Sequence, residues 1–352
     1  MPSAAGYNWP LRSTLLALLT LLPMIGGFGG RSFPLEISQA TRLNGFDLRE
    51  SLIPTEQIRS QAAARDEIEA LGRPLALDAE AVAELNFDRR TAGLATYLEA
   101  SDLVAGLELE GEFRAYPLAM LSRHQLVNDK LQGRAVLISY CPLSDALLAF
   151  RREQDGRELE FGVSGLLHNS NMLLFDKARR GEESLWSQLR GQAVSGPQAG
   201  SELEQLPLQL LDWGSWLAMH PASSVAVPDL EELPDYSVDA YVDYRTEARL
   251  RYPAWPQLPE DSPLHAFEQV IAVDNGSGWL VLPLRQLSRE LGTGNSLALH
   301  GASFMLSSPA DPEMEPQVLV EALPDEEIRF VHAYWFAWYA THPESEIFPL
   351  LD

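Results

Sequence analysis

Cys141 is the only thiol in a chain of 352 residues, and it stands in the run Tyr140-Cys141-Pro142-Leu143. A thiol beside an imidazole supports two chemistries: a nucleophile–base pair, or two ligands for a soft metal ion such as Cu or Zn. His124 and His168 are the imidazoles on either side of it in sequence. No motif spacing ties either histidine to Cys141. The competing reading is a buried, inert Cys at a strand end and a His bonded to backbone. The stretch His168-Asn169-Ser170-Asn171 concentrates amide and imidazole groups. It orients a polar ligand in a cleft, or it is a turn whose Asn side chains bond the backbone. Asp129, Asp145 and Asp176 are acid–base candidates. Paired carboxylates cleave glycosidic bonds when roughly 5–10 Å apart, a distance that spacing in sequence does not set. The candidates are thus Cys141, His124 and His168 for a metal or cofactor, and Asn169, Asn171, Asp129, Asp145 and Asp176 for a ligand.

These side chains need elements to hold them. Val136 to Tyr140 is a strongly apolar strand, ended by Pro142. Leu159–Val163 and Met172–Phe175 read as strands flanking a polar loop from Ser164 to Asn171. Gly106 to Glu112 reads as a hairpin, Leu118 to Val127 as a short helix, and Asn128-Asp129-Lys130 as a turn. Upstream, Gln61–Gly72 and Asp78–Leu85 read as helices, the second capped by Asp78. Residues 226–265 are rich in Pro, Asp and Glu and read as an extended connecting segment.

The chain repeats itself. Trp213-Gly-Ser-Trp216-Leu-Ala-Met-His220-Pro221 is echoed 122 residues later by Trp335-Phe-Ala-Trp338-Tyr-Ala-Thr-His342-Pro343. Each copy reads as a short amphipathic helix ending at His-Pro, with its Trp pair docked on a sheet. The fold expected is therefore α+β and β-rich: two related halves of short strands, each closed by a short Trp-containing helix. The division expected is an amino-terminal segment over 1–30, an extension over 31–95, a first half over 96–225, the connection over 226–265, and a second half over 266–352.

Composition sets the surroundings. Fifty acidic against 26 basic side chains give a formal charge of −24. Such a surface repels nucleic acid and anionic membranes. Arg12 followed by the apolar run Ser13 to Leu22 and then Gly26-Gly27 has the form of a signal peptide, with an uncleaved anchor as its rival. No other stretch reads as a membrane span. The expected location is therefore outside the cytoplasm, periplasmic or extracellular. With one Cys, no intramolecular disulfide is possible. No Walker, His-Glu-x-x-His or Gly-x-Ser-x-Gly pattern occurs.

Residues 96–225 resemble the DUF3179 family of uncharacterised exported proteins. The resemblance rests on Arg114-Ala115-Tyr116-Pro117-Leu118, His124, Val127-Asn128-Asp129, Tyr140-Cys141-Pro142-Leu143 and Phe161-Gly162-Val163-Ser164-Gly165. It continues through His168-Asn169-Ser170-Asn171, Asp176, Leu185-Trp186-Ser187-Gln188 and Gly196-Pro197, and closes with Trp213, Trp216, His220 and Pro221. The tail from His332 to Ile347 is similar to the end of that family's domain. Membership implies export and no particular activity. The chain departs from the family at Ser144, where a second Cys is common, so a self-contained dithiol couple is not available here. It departs again at His168, usually aromatic, and at Ser122-Arg123-His124, where Asn-Trp-His is favoured.

Three functions fit these residues. The first is an exported ligand- or metal-binding domain with a site around Cys141. The second is an enzyme using Cys141 or a carboxylate such as Asp129. The third is a structural or surface-interaction protein that makes contact through 226–265.

Overall fold

The computed structural model of the chain describes residues 42–349, save 155, 232, 293, 310, 312 and 314. The segment expected to act as a leader, 1–30, lies outside the described residues. Among those described, no helix is long and apolar enough to cross a membrane.

Helix α1 (Ala79–Thr91) starts as its cap predicts: the Asp78 carboxylate accepts from Ala81 N at 2.8 Å. The helix expected over 61–72 does not form. That stretch is a run of turns and bends between two short strands, Arg59–Ser60 and Leu71–Gly72. Its alanines make no apolar stripe, and a short helix without one gains little from packing. Glu67 instead accepts from the backbone of Ala63 and Ala64.

The expected hairpin is present as β1 (Leu103–Leu109) and β2 (Glu112–Pro117), turning at Glu110-Gly111 with both residues at positive φ. Helix α2 (Leu118–His124) follows at once. Then come β3 (Leu126–Leu131), β4 (Arg134–Cys141) and β5 (Ala146–Arg151), an antiparallel meander. Asn128-Asp129-Lys130, expected as a turn, lies within β3. A buried strand tolerates these polar residues because each finds partners. Asn128 exchanges two hydrogen bonds of 2.8 Å with the backbone of Phe161, standing in for a strand edge.

A second antiparallel sheet holds β6 (Phe161–His168), β7 (Asn171–Asp176), β8 (Leu185–Ser187) and β9 (Gln192–Ser195). The polar stretch expected as a loop from Ser164 is strand as far as His168; only Asn169-Ser170 turns. Next come β10 (Gln209–Asp212), α3 (Trp213–Met219) and β11 (Ser224–Val227). The connecting segment carries α4 (Val242–Glu247). The rest comprises β12 (Gln269–Asp274), β13 (Trp279–Pro283), α5 (Leu284–Leu291), β14 (Ser296–Leu299), β15 (Ala302–Leu306), β16 (Val318–Ala322), β17 (Arg329–Tyr334), α6 (Trp335–Thr341) and β18 (Glu346–Ile347).

The fold is α+β and β-rich, and both Trp motifs are helices. The meander β3-β4-β5 joins β17, β12, β13 and β18 in a nine-stranded sheet. Its two faces are both covered. Leu126, Leu137, Cys141 and Leu148 pack towards Phe161, Met172 and Trp186 of the second sheet. Val127, Val136, Ile138 and Leu147 pack towards Val104, Leu107 and Trp213 on the other side. That is why Val136 to Tyr140 reads as a continuous apolar run rather than an alternating one.

Two groups of four strands share one pattern. β10-β1-β2-β11 and β17-β12-β13-β18 have the same order, with only the last pair parallel in each. Val104 faces Pro117 as Val270 faces Pro283, and Ser224 faces Arg114 as Glu346 faces Leu280. Each hairpin runs into a helix through Pro-Leu-x-x-Leu-Ser-Arg, at Pro117 and at Pro283. Each Trp helix ends on its His, whose N–H bonds the second Trp's carbonyl. The indole of Trp216 donates to Ser223 at 2.8 Å and that of Trp338 to Ser345 at 3.0 Å. His220 stacks on Phe113, while His342 stacks on Trp338 beside Trp279.

Trp216 lies directly on β1. A Cβ added at Gly106 would fall 2.4 Å from two of its ring carbons. Gly106→Ala is therefore expected to cost about 1–3 kcal/mol through overpacking. A fall in the urea midpoint at constant m-value checks this, and an unchanged midpoint contradicts the packing.

Candidate functional site

Successive side chains of a strand point to opposite faces, and this separates Tyr140 from Cys141. Cys141 is fully buried against Leu126, Leu143 and Leu148. Its Sγ faces the Ser170 carbonyl at 3.9 Å, and burial pushes its thiol up. Tyr140 faces the other way. After it the chain turns through Pro142 to Asp145, and Asp145 takes φ +50, a left-handed conformation that Asp tolerates better than most residues. The turn brings the Asp145 carboxylate back over Tyr140. The Tyr140 hydroxyl donates to Asp145 Oδ1 at 2.8 Å, and Gln269 Nε2, at the start of β12, donates to Oδ2 at 2.7 Å. Burial raises the Asp145 carboxyl above the usual range, against the lowering effect of these two donors and of Arg245.

This trio lies in a cleft of about 650 Å³. Residues 95–103 and the start of α2 form part of its wall, and the connecting segment from Asp235 to Arg245 forms another. Tyrosine hydroxyls fasten that segment to the body. Tyr236 OH lies 2.8 Å from His124 Nε2, and Tyr244 OH donates to the Leu143 carbonyl at 2.8 Å. Tyr241 OH accepts from the side-chain amides of Gln61 and Gln125. His124 Nδ1 faces the Glu69 carbonyl at 2.9 Å, so that nitrogen carries the proton and Nε2 accepts from Tyr236. Burial lowers the His124 pKa, which favours this neutral form. Gln125 is wholly buried, and among the described residues its Oε1 has no donor.

The other sequence candidates lie apart from the cleft. His168 donates to Gln57 Oε1 at 3.1 Å. Asn169 and Ser170 form the tight turn between β6 and β7, both at φ +56, and their side chains tie it to the Ala340 and Tyr252 carbonyls. Asn171 donates to Ser144 Oγ at 2.9 Å and to Gln188 Oε1 at 2.7 Å. Asp129 is buried between Arg114 Nη1, at 2.7 Å, and the Tyr116 hydroxyl, at 2.8 Å. Asp176 accepts from Ser184 N and the Trp186 indole, and burial raises its pKa. Among the described residues, no three His, Cys, Asp or Glu side chains gather to hold a metal ion. Of the ligand candidates, Asp145 alone lines the cleft. Gln269 and the tyrosines of the connecting segment escaped sequence reasoning. Tyr236, Tyr241 and Tyr244, spaced along an otherwise polar run, were the available signal.

A family model described as a protein of unknown function, DUF3179, matches residues 81–298. The chain belongs to this family. Tyr140, Asp145, Tyr236, Tyr241, Arg245 and Gln269 all fall inside the matched span, whereas the tail from His332 to Ile347 falls outside it. Comparison with curated proteins finds no match, and comparison with solved structures finds none. Membership of DUF3179 therefore brings no reaction with it, and the cleft must be read from its own residues.

Two predictions follow from burial. The Cys141 thiol is expected to resist iodoacetamide in the folded protein and to react fully in denaturant; labelling at equal rates in both states contradicts its placement. His168 and His332 are both pushed down to about 4 by burial. Their ordinary value is near 6.5, so the unfolded chain binds their protons first as pH falls. They add stability above about pH 6.5 that is lost as pH falls towards 4, on the order of 3 kcal/mol each at most. Thermal melts from pH 7 to 4.5 should show a shallower pH slope for His168→Gln with His332→Gln than for the parent. An equal slope contradicts the assignment.

Proposed function

We propose that this DUF3179 protein is an exported small-molecule-binding protein whose ligand occupies the cleft above Tyr140 and Asp145. One observation carries the reading: a carboxylate held by a phenol and an amide in the lining of a cavity of about 650 Å³. Cavities of this size suit small organic molecules, and fixed polar groups in the lining give orientation. Export is supported by the Arg12 flank and the apolar run from Ser13 to Leu22.

In this reading the scaffold is a duplication, with halves over 96–225 and 266–352 joined by 226–265. Support comes from the matching strand order and register, the recurring Pro-Leu-x-x-Leu-Ser-Arg and the repeated Trp–His helix ends. The second half lacks a counterpart of Cys141, and it contributes Gln269 to the cleft of the first. The joining segment supplies the tyrosine wall.

Thermal-shift screening of the purified protein against a panel of small polar metabolites tests the proposal. Binders should raise the melting temperature saturably, by linkage to the folded state. Asp145→Asn and Gln269→Ala should weaken those binders roughly tenfold or more while the circular dichroism spectrum is kept. Binders indifferent to both substitutions would place the ligand elsewhere and sink the reading.

A further inference from the structure

We infer that the ligand of this cleft is a compact organic cation, an amine or amidinium, which docks on Asp145. The inference rests on the cleft reading above and adds the chemical class of the occupant.

Charge is the first argument. The walls carry Glu99, Asp102, Asp145, Asp235 and Asp239 against Arg123 and Arg245, a formal excess of three negative charges. Arg245 is paired with Asp239 and Glu99 with Arg90, which leaves Asp102, Asp145 and Asp235 against Arg123. Arg123, in the last turn of α2, is exposed to solvent. The remaining carboxylates repel anions and concentrate cations, and the formal charge of −24 on the whole chain acts in the same direction.

Hydrogen-bond valence is the second argument. Among the described residues, each Asp145 oxygen receives one donor, from Tyr140 or from Gln269. An ionised carboxylate accepts about four such bonds in all, so two acceptor positions stay open. The Tyr140 hydroxyl and Gln269 Nε2 both spend a hydrogen on Asp145, and the Tyr236 hydroxyl spends its own on His124. A ligand that satisfies Asp145 must bring donors. An ammonium or amidinium brings two or more together with the opposite charge.

The wall itself is the third. Tyr140, Tyr236 and Tyr241 line the cleft. Aromatic rings favour a cation near their faces. A bare metal ion suits the site poorly: the cavity is large, and no three candidate ligands converge among the described residues.

The test is calorimetric titration of the purified protein with three probes of similar length: 1,4-diaminobutane, 1,4-butanediol and succinate. Saturable binding of the diamine, with neither the diol nor the dianion bound, is expected. Asp145→Asn, still folded by circular dichroism, should weaken the diamine by about tenfold or more, and Gln269→Ala should weaken it less. Binding of the diol or succinate in preference to the diamine overturns the cationic class and leaves the cleft reading standing. Failure of the diamine and of a wider set of mono- and diamines also overturns it, and the metabolite panel then judges the cleft by itself. Diamine binding unchanged in Asp145→Asn removes Asp145 as the anchor and overturns the inference as well.

Discussion

The carboxamide of Asn171 holds the centre of this protein together. It is buried, donates to Ser144 and to Gln188, and accepts from Leu189 N. Gln188 in turn donates to Ser139 Oγ and the Ala146 carbonyl. These bonds tie the hairpin of β6 and β7 to the turn between β4 and β5. A network of this kind is rigid when every member is satisfied and costly when one is missing. The turn it pins is the one that folds Asp145 back over Tyr140. The geometry of the cleft therefore depends on polar groups that never face it.

The same economy gives several chemical-looking residues structural partners. Asp129 neutralises Arg114 and receives the Tyr116 hydroxyl, joining β2 to β3 across two sheets. Removing one partner of such a pair leaves a buried charge, and that usually costs several kcal/mol. His168, Asn169 and Ser170 serve a tight turn whose left-handed backbone is held from outside by side-chain bonds. Ser144, which stands where the family often has a second Cys, accepts from Asn171. In this chain that position contributes a hydroxyl to the network rather than a sulfur.

The connecting segment links architecture to site. It reads in sequence as a Pro- and acid-rich crossing without periodicity. In the fold it is fastened by three tyrosine hydroxyls and forms one side of the cleft. Prolines restrict its backbone, and the phenols bring both apolar area and a polar tip, which suits a strap lying between core and solvent. His124 belongs to this fastening. Its two ring nitrogens face the Glu69 carbonyl and the Tyr236 hydroxyl.

Local chemistry made much of the scaffold legible in the sequence. The Asp78 cap, the hairpin at Glu110-Gly111, the apolar run of β4 and the two Trp helices ending at His-Pro follow from rules acting over a few residues. Elsewhere such rules misled. Residues 61–72 have helix-forming alanines but no face to bury, and Asn128-Asp129-Lys130 is turn-like in composition yet sits in a buried strand because distant groups satisfy it. The candidate site shows the same division. Sequence alone marked Tyr140 to Leu143 as the distinctive segment and drew attention to its sulfur. Which neighbour would face a cavity depends on which faces of β4 are covered, and by what. Tertiary structure turned Cys141 into dry core and Tyr140 towards the cleft, then brought Gln269 from 124 residues away to the Asp145 carboxylate. A strand's alternation is written in its sequence; what each face meets is decided only when the sheets stack.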